Sequence, residues 1–433
     1  MVLKFCQLSD VLLEDIFKLL HPEELFDLCF LSKELFDIVN RVIKYHSIYS
    51  VYFQVGFTKY QKYQYKFILE NGILMNHIYV KDDTIRFLDS CPNLTSIHAS
   101  IDTVDINKLE IELPKLRKLS IDSSNFKESL NVFNSYLNQV VVFECIGLNI
   151  SIEEVVKELN PDKLIALKVY SIGGIDIKGL DTIKTKFINL RRLNLKSDEH
   201  IEINNQINPS INFVSNLKIE IRGYLGNDFN IKYFGDLNKI KGIKLMNYNS
   251  LYFNNNNKHN NMVLIENSNV VGLGYFNPRN PINYDLLKIP TLKDVYFWDF
   301  TKETLNLIPL LTSTQIINFG SIRLDLEKLF AKLDLTRNDF YDEKFKLLQS
   351  SLIKEIKINC LYSTFEAFAF FLSLFPNLKV IKAEALYFIN RDTGLDYVHT
   401  APLIFIAPFS CYKDTDLSIL SEYVPSLDWI KSE

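Results

Sequence analysis

Leu190-Arg191-Arg192-Leu193-Asn194-Leu195 carries the pattern that decides the fold: aliphatic residues at steps of three and two, with charged or polar residues between them. In an extended chain side chains alternate between two faces, so Leu193 and Leu195 share one face while Arg192, Asn194 and Lys196 share the other. The same unit, with other aliphatic or aromatic residues allowed, precedes it as Leu94/Ile97, Leu116/Leu119/Ile121, Val140/Phe143/Cys145 and Leu164/Leu167/Val169. It continues as Ile219/Ile221, Ile240/Ile243/Leu245, Leu292/Val295/Phe297, Ile316/Phe319, Ile353/Ile356/Ile358 and Leu378/Ile381.

Most neighbouring units start about 22 to 27 residues apart, a period similar to that of leucine-rich repeats. Several are announced by a proline turn, as in Cys91-Pro92-Asn93-Leu94, Leu113-Pro114-Lys115-Leu116, Ile289-Pro290-Thr291-Leu292 and Phe375-Pro376-Asn377-Leu378. Helical patterns fall between some strands, at 152–159, 304–311 and 365–375. One strand with its helix cannot bury its own apolar face, so such units stack into a solenoid with a parallel sheet. The repeats are irregular. The interval from Ile316 to Ile353 calls for an insertion around 334–345, and the Asn-rich run 254–261 reads as a solvated loop.

The N-terminal segment has a different period. Ser9 or Asp10 can cap a helix whose apolar positions Leu12, Leu13, Ile16, Phe17 and Leu20 recur at helical steps. Pro22 suits the start of a second helix, with Glu23 and Glu24 near the positive end of its dipole. That helix presents Leu25, Phe26, Leu28, Cys29, Phe30 and Leu31, more apolar surface than so short a bundle can cover, so a partner is expected.

Leu8, Leu12, Leu13, Ile16, Leu20, Pro22, Leu25, Leu28, Leu31, Ser32 and Lys33 fall without a gap on the pattern of an F-box, which this segment resembles. Ser9 stands where that family has proline, and Leu35 where it has tryptophan. The resemblance implies a helical module that binds a Skp-type adaptor, and through it a cullin, using Leu8, Leu12, Ile16, Pro22, Leu28, Leu31, Ser32 and Leu35. It implies an α/β chain: a three-helix F-box at 5–40, a connecting segment at 41–84, an irregular leucine-rich-repeat solenoid with a curved parallel sheet at 85–410, and a C-terminal cap at 411–433 that includes Trp429.

Composition sets the outer limits. The chain has 433 residues, 47% hydrophobic and 23% charged, with a net charge of -4. It is globular, with no footprint for general nucleic-acid binding. The apolar runs at 367–375 and 401–409 are too short to span a bilayer, and the N-terminal pattern differs from that of a signal peptide. Six cysteines without a C-x-x-C pair suit a reducing compartment, cytoplasmic or nuclear. The tyrosine-rich stretch 45–65 has no reading.

No phosphate-binding glycine loop, serine elbow or zinc-binding histidine frame occurs, so neither catalytic residues, metal nor cofactor is expected. Cys29, Cys145 and Cys360 lie among apolar neighbours, where burial makes a thiol a poor nucleophile.

Recognition is expected on the face opposite the aliphatic anchors. Its slots hold Lys168 and Tyr170, Arg192 and Lys196, Lys218 and Arg222, Lys244, then Tyr296 and Trp298. The cations suit an acidic or phosphorylated protein substrate, and Tyr296 with Trp298 offers an aromatic shelf for an apolar anchor. The same face could equally be solvated. The resemblance implies a substrate-recognition subunit of a cullin-type ubiquitin ligase; a structural F-box subunit of a kinetochore-type assembly and a repeat scaffold without adaptor remain open alternatives.

Overall fold

The computed structural model describes residues 9–20, 25, 28, 32–46, 76–81, 85, 88–101, 112–124, 126–202, 207–214, 216–225, 230–247, 258–266, 269–276, 283–298, 300–320, 324–325, 352–363, 367–368, 371, 374–389, 396–399, 403–406 and 428–430. They belong to two compact units, Met1–Ile207 and Asn208–Glu433. Leu8, Pro22, Leu31, the stretch 47–65 and the expected insertion at 334–345 lie outside the described residues.

The first unit begins with helix α1 (Asp10–Phe17). Ser9 is its N-cap: its backbone is extended and its Oγ accepts a hydrogen bond from the Leu12 N–H at 3.4 Å. Leu13 and Phe17, one turn apart, are buried. Helix α2 (Lys33–His46) follows Ser32, whose Oγ accepts from the Leu35 N–H at 3.2 Å. Phe36, Val39 and Val42 form its buried stripe. Arg41 ties the two helices together, with Nη2 2.9 Å from Asp10 Oδ2 and Nε 2.6 Å from Glu14 Oε1.

A parallel ladder follows. Strands β1 (His77–Lys81), β2 (Ser96–Ser100) and β3 (Lys118–Ser123) pair in sequence. After helices α3 (Phe126–Val132) and α4 (Asn134–Leu137) comes β4 (Val142–Gly147), then the short β5 (Ile150–Ser151) and helix α5 (Ile152–Lys157). Strand β6 (Ala166–Ser171), the short β7 (Ile175–Asp176), helix α6 (Leu180–Lys186) and β8 (Arg192–Glu202) complete the unit. β4, β6 and β8 extend the main ladder, while β5 pairs with β7 and β7 with the second half of β8.

Register explains the aliphatic triplets. Ile78, Ile97, Leu119, Phe143, Leu167 and Leu193 form one cross-strand row, and Val80, Ala99, Ile121, Cys145, Val169 and Leu195 the next; none is more than 2% exposed. Burying one such aliphatic side chain is worth about 1.5–3 kcal/mol, so the rows dominate the unit's stability. In three of the unit's triplets the leading residue closes a tight turn: the N–H groups of Leu94, Leu116 and Leu190 donate to the carbonyls of Cys91, Leu113 and Phe187 at 3.1–3.2 Å.

The second unit repeats the scheme. Strands β9 (Lys218–Leu225), β10 (Gly242–Asn247), β11 (Val270–Phe276), β12 (Asp294–Phe297), β13 (Ile316–Phe319), β15 (Glu355–Ser363) and β16 (Val380–Ile389) pair in parallel, and the short β14 (Leu324–Asp325) adds to β15. Their buried row is Ile221, Leu245, Leu273, Val295, Ile317, Ile356 and Ile381. Helix α7 (Lys258–Ile265) precedes β11, and helix α8 (Lys302–Leu307), closed by a Thr301–Thr304 capping box, follows β12. The expected helices at 152–159 and 304–311 are thus present, shifted by a few residues.

Five details depart from the sequence reading. The ladder begins at His77, inside the segment 41–84 expected to connect. β11 adds a unit between Leu245 and Leu292 whose alternate positions are glycine, which hides the repeat. Ile316 is not a core anchor: it pairs with Asp294 and Glu355 on the opposite face, and buried Thr314, Ile317 and Phe319 make the triplet. The run 254–261 is not wholly a loop, since Lys258–Ile265 is helical and Asn261 is buried. The parallel arrangement ends at β16, before residue 410: β17 (Asp396–His399) and β18 (Leu403–Ile406) pair antiparallel with β16, and β19 (Asp428–Ile430), which holds Trp429, pairs antiparallel with β18.

Candidate recognition surfaces

The N-terminal helices leave apolar side chains in solvent. Leu12 is 47% exposed, and its neighbours Val11 and Leu19, which the sequence pattern did not single out, are 70% and 86% exposed. Ile16, Leu28 and Leu35 are half-buried. Ser32 acts as the cap of α2. The buried side of α1 is occupied by Leu13 and Phe17, and its charged edge by Arg41, so this apolar strip is surplus to the packing of α1 on α2.

On the open face of the first unit the predicted residues lie as their alternation requires. In register, Arg192 neighbours Ala166, Asn194 neighbours Lys168, and Lys196 neighbours Tyr170. Lys168 reaches Glu144 at 3.3 Å, and Lys118 approaches the same carboxylate oxygen at 3.9 Å. Lys196 Nζ sits 3.9 Å from the centroid of the Tyr170 ring, a cation–π contact, while the Tyr170 hydroxyl donates to Asp198 Oδ2 at 2.5 Å. Arg192 is exposed and makes no side-chain hydrogen bond or ion pair among the described residues. At the other end of this face the His98 and Tyr79 rings meet in a tilted contact, with centroids 4.8 Å apart. Burial, and secondly Lys118, holds the His77 imidazole below its ordinary range; burial also lowers His98, so both are uncharged at neutral pH.

Lys218, Arg222, Lys244, Tyr296 and Trp298 belong to the second unit. There Lys244 pairs in register with Glu220 on one side and Gly272 on the other. Its side chain crosses Gly272 to Asp294, with Nζ 2.5 Å from Oδ2, and passes 5.0 Å from the Tyr296 ring centroid. Asn318 Nδ2 donates to the other Asp294 oxygen. Burial pulls the Lys244 ammonium down, but Asp294, Tyr296 and Glu220 together outweigh it, and the net shift is upward. Lys244 is therefore internally compensated and a weaker anion site than the sequence suggests. Trp298 is 45% exposed at the end of β12. Farther along, Glu355 takes both Lys357 at 3.6 Å and Lys382 at 3.2 Å.

Cys145 is buried and its thiol is pushed up, and Cys91, also buried, is pushed up to about 12, so neither forms a thiolate at neutral pH. Cys29 and the side chain of Cys360 lie outside the described residues. Among the described residues no three His, Cys, Asp or Glu side chains converge as a metal site, and no helix is long and apolar enough to cross a membrane.

No family model matches the chain, and no curated protein matches it. Among solved structures, the crystal structure of the Rad7 and Elc1 complex in yeast contains a chain that aligns over 85% of both chains, at 14% identity and a TM-score of 0.35.

Proposed function

We propose that this chain is a substrate-recognition subunit of a cullin-type ubiquitin ligase, built from an F-box and leucine-rich repeats. The set of exposed Val11, Leu12 and Leu19, together with half-buried Ile16, Leu28 and Leu35 of the same segment, carries this reading. It lies within the segment whose sequence resembles an F-box, and a Skp-type adaptor would cover it. An uncovered strip of this kind is costly in solvent, and burying it would supply the apolar centre of an interface.

The repeat ladder then serves as the receptor for a protein substrate. The chain contributes no reacting group; it would hold the substrate near a ubiquitin-charged enzyme brought by the cullin. Of the cations on the open faces, Arg192 is the best suited to accept a carboxylate or phosphate, because its guanidinium fork is not engaged. Affinity purification with and without cullin inhibition tests the reading. Adaptor and cullin should co-purify, and prey bound through the repeats should accumulate on inhibition. Adaptor without cullin would point instead to a non-ligase assembly, and neither to a scaffold.

A further inference from the structure

The main strands β4 and β6 of the first unit end at a register-matched pair, Gly147 and Ser171. The residues that follow, Leu148 and Ile172, emerge side by side and are 49% and 51% exposed. Each lies just past its strand, at the position that would continue the open-face series of half-buried Ile146 and Tyr170. The backbone beneath is fastened. Asn149, at φ 47°, accepts through its side-chain oxygen from the Gly174 N–H at 3.0 Å, and Ser197 Oγ donates to the Gly173 carbonyl at 2.6 Å. Lys196 lies over the face of the Tyr170 ring, and Asp198 holds its hydroxyl. The apolar group is thus a preformed ridge, with little ordering left to do on binding.

Charge along the same strands is uneven. Toward their N-terminal ends the face carries Lys118, Lys168 and Arg192 against one carboxylate, Glu144. Toward the ridge, Asp122 and Asp198 accompany Lys196. An apolar anchor is therefore favoured at one end and a negative group at the other. From Ile172 the positive positions Lys168 and Arg192 are roughly 13 and 20 Å away along the strands, the reach of about four to six extended residues.

We infer that the ridge at Leu148 and Ile172 docks an extended peptide segment with adjacent aliphatic side chains and an acidic group about four to six residues away, bound toward Lys168 and Arg192. This deepens the receptor reading of the repeats and moves the apolar anchor from Tyr296 and Trp298 to the first unit. The occupant is taken to be a protein segment, since about four to six extended residues place both chemistries at this spacing.

The test is selection of a displayed random dodecapeptide library on the full-length chain, with no adaptor present. Enriched peptides should pair aliphatic residues with an acidic residue at that spacing. Leu148→Ser together with Ile172→Ser should weaken their binding about tenfold or more, with an unchanged melting curve. Arg192→Glu should weaken the acidic peptides and leave their Asn and Gln counterparts unaffected. No enriched class, or one indifferent to both changes, overturns the proposal. Peptide binding without any adaptor binding would keep this surface and end the ligase reading; adaptor binding without peptide binding would do the reverse.

Discussion

Lys244 Nζ lies 2.5 Å from Asp294 Oδ2, although the two residues sit on β10 and β12 with β11 between them. The span is possible because the intervening strand presents Gly272 and Gly274. A Cβ at Gly272 would lie 2.6 Å from Lys244 Cγ, and one at Gly274 would lie 2.1 Å from Tyr296 Cβ and 2.9 Å from its Cα. A lysine stem can yield, whereas the Tyr296 backbone is held in the ladder. Gly274→Ala should therefore destabilise the second unit by about 1–3 kcal/mol, and Gly272→Ala by less. Denaturant midpoints of the two variants check the order; equal effects would show that Lys244 is as fixed as the Tyr296 backbone.

The same pair gives a pH dependence. The net upward shift of Lys244 places its folded pKa above the unfolded value. Its stabilisation is complete below about pH 10.4 and is lost as the pH rises through the folded value. Lys244→Met retains the stem without the charge. The stability gap between wild type and this variant should be flat from pH 7 to about 10 and close above that. A gap that closes on the acid side of neutrality would assign the effect to another group.

Position in the core outweighs charge on the surface. Leu193 is fully buried in the central row of the first unit, so Leu193→Asp should cost several kcal/mol and abolish cooperative unfolding of that unit. Arg41, although it bridges Asp10 and Glu14, is 47% exposed, and Arg41→Ala should cost no more than about 1 kcal/mol. Phe17→Ala, beneath the same helix pair, should cost about 3–5 kcal/mol. Circular dichroism melts rank the three; an Arg41→Ala loss larger than that of Phe17→Ala would make the ion pairs, not the apolar contact, the clasp of α1 on α2.

The core rows were legible because their spacing is enforced by strand alternation, so Leu116, Leu119, Ile121, Leu190, Leu193, Leu195, Ile356 and Ile358 are all buried as expected. Where Thr314 replaces the leading aliphatic, the pattern slips by two residues and Ile316 takes its place in the reading. β11 escaped because Gly272 and Gly274 interrupt its apolar alternation. On the open face, alternation gives the side of Lys168, Lys196 and Lys244 but not their partners: Glu144, Tyr170 and Asp294 come from other repeats, 24 to 50 residues away. Leu148 and Ile172 lie just past their strands, where the repeat pattern assigns no role.

The measurement that bears most directly on the proposed role is adaptor binding by the full-length chain carrying Leu12→Asp and Leu19→Asp. Leu19 is largely in solvent and Leu12 about half, so the variant should melt nearly as wild type does. If the N-terminal helices are the adaptor site, co-purification of a Skp-type adaptor should be lost, because two carboxylates would enter an apolar interface. Undiminished adaptor binding by a folded double variant would contradict the account.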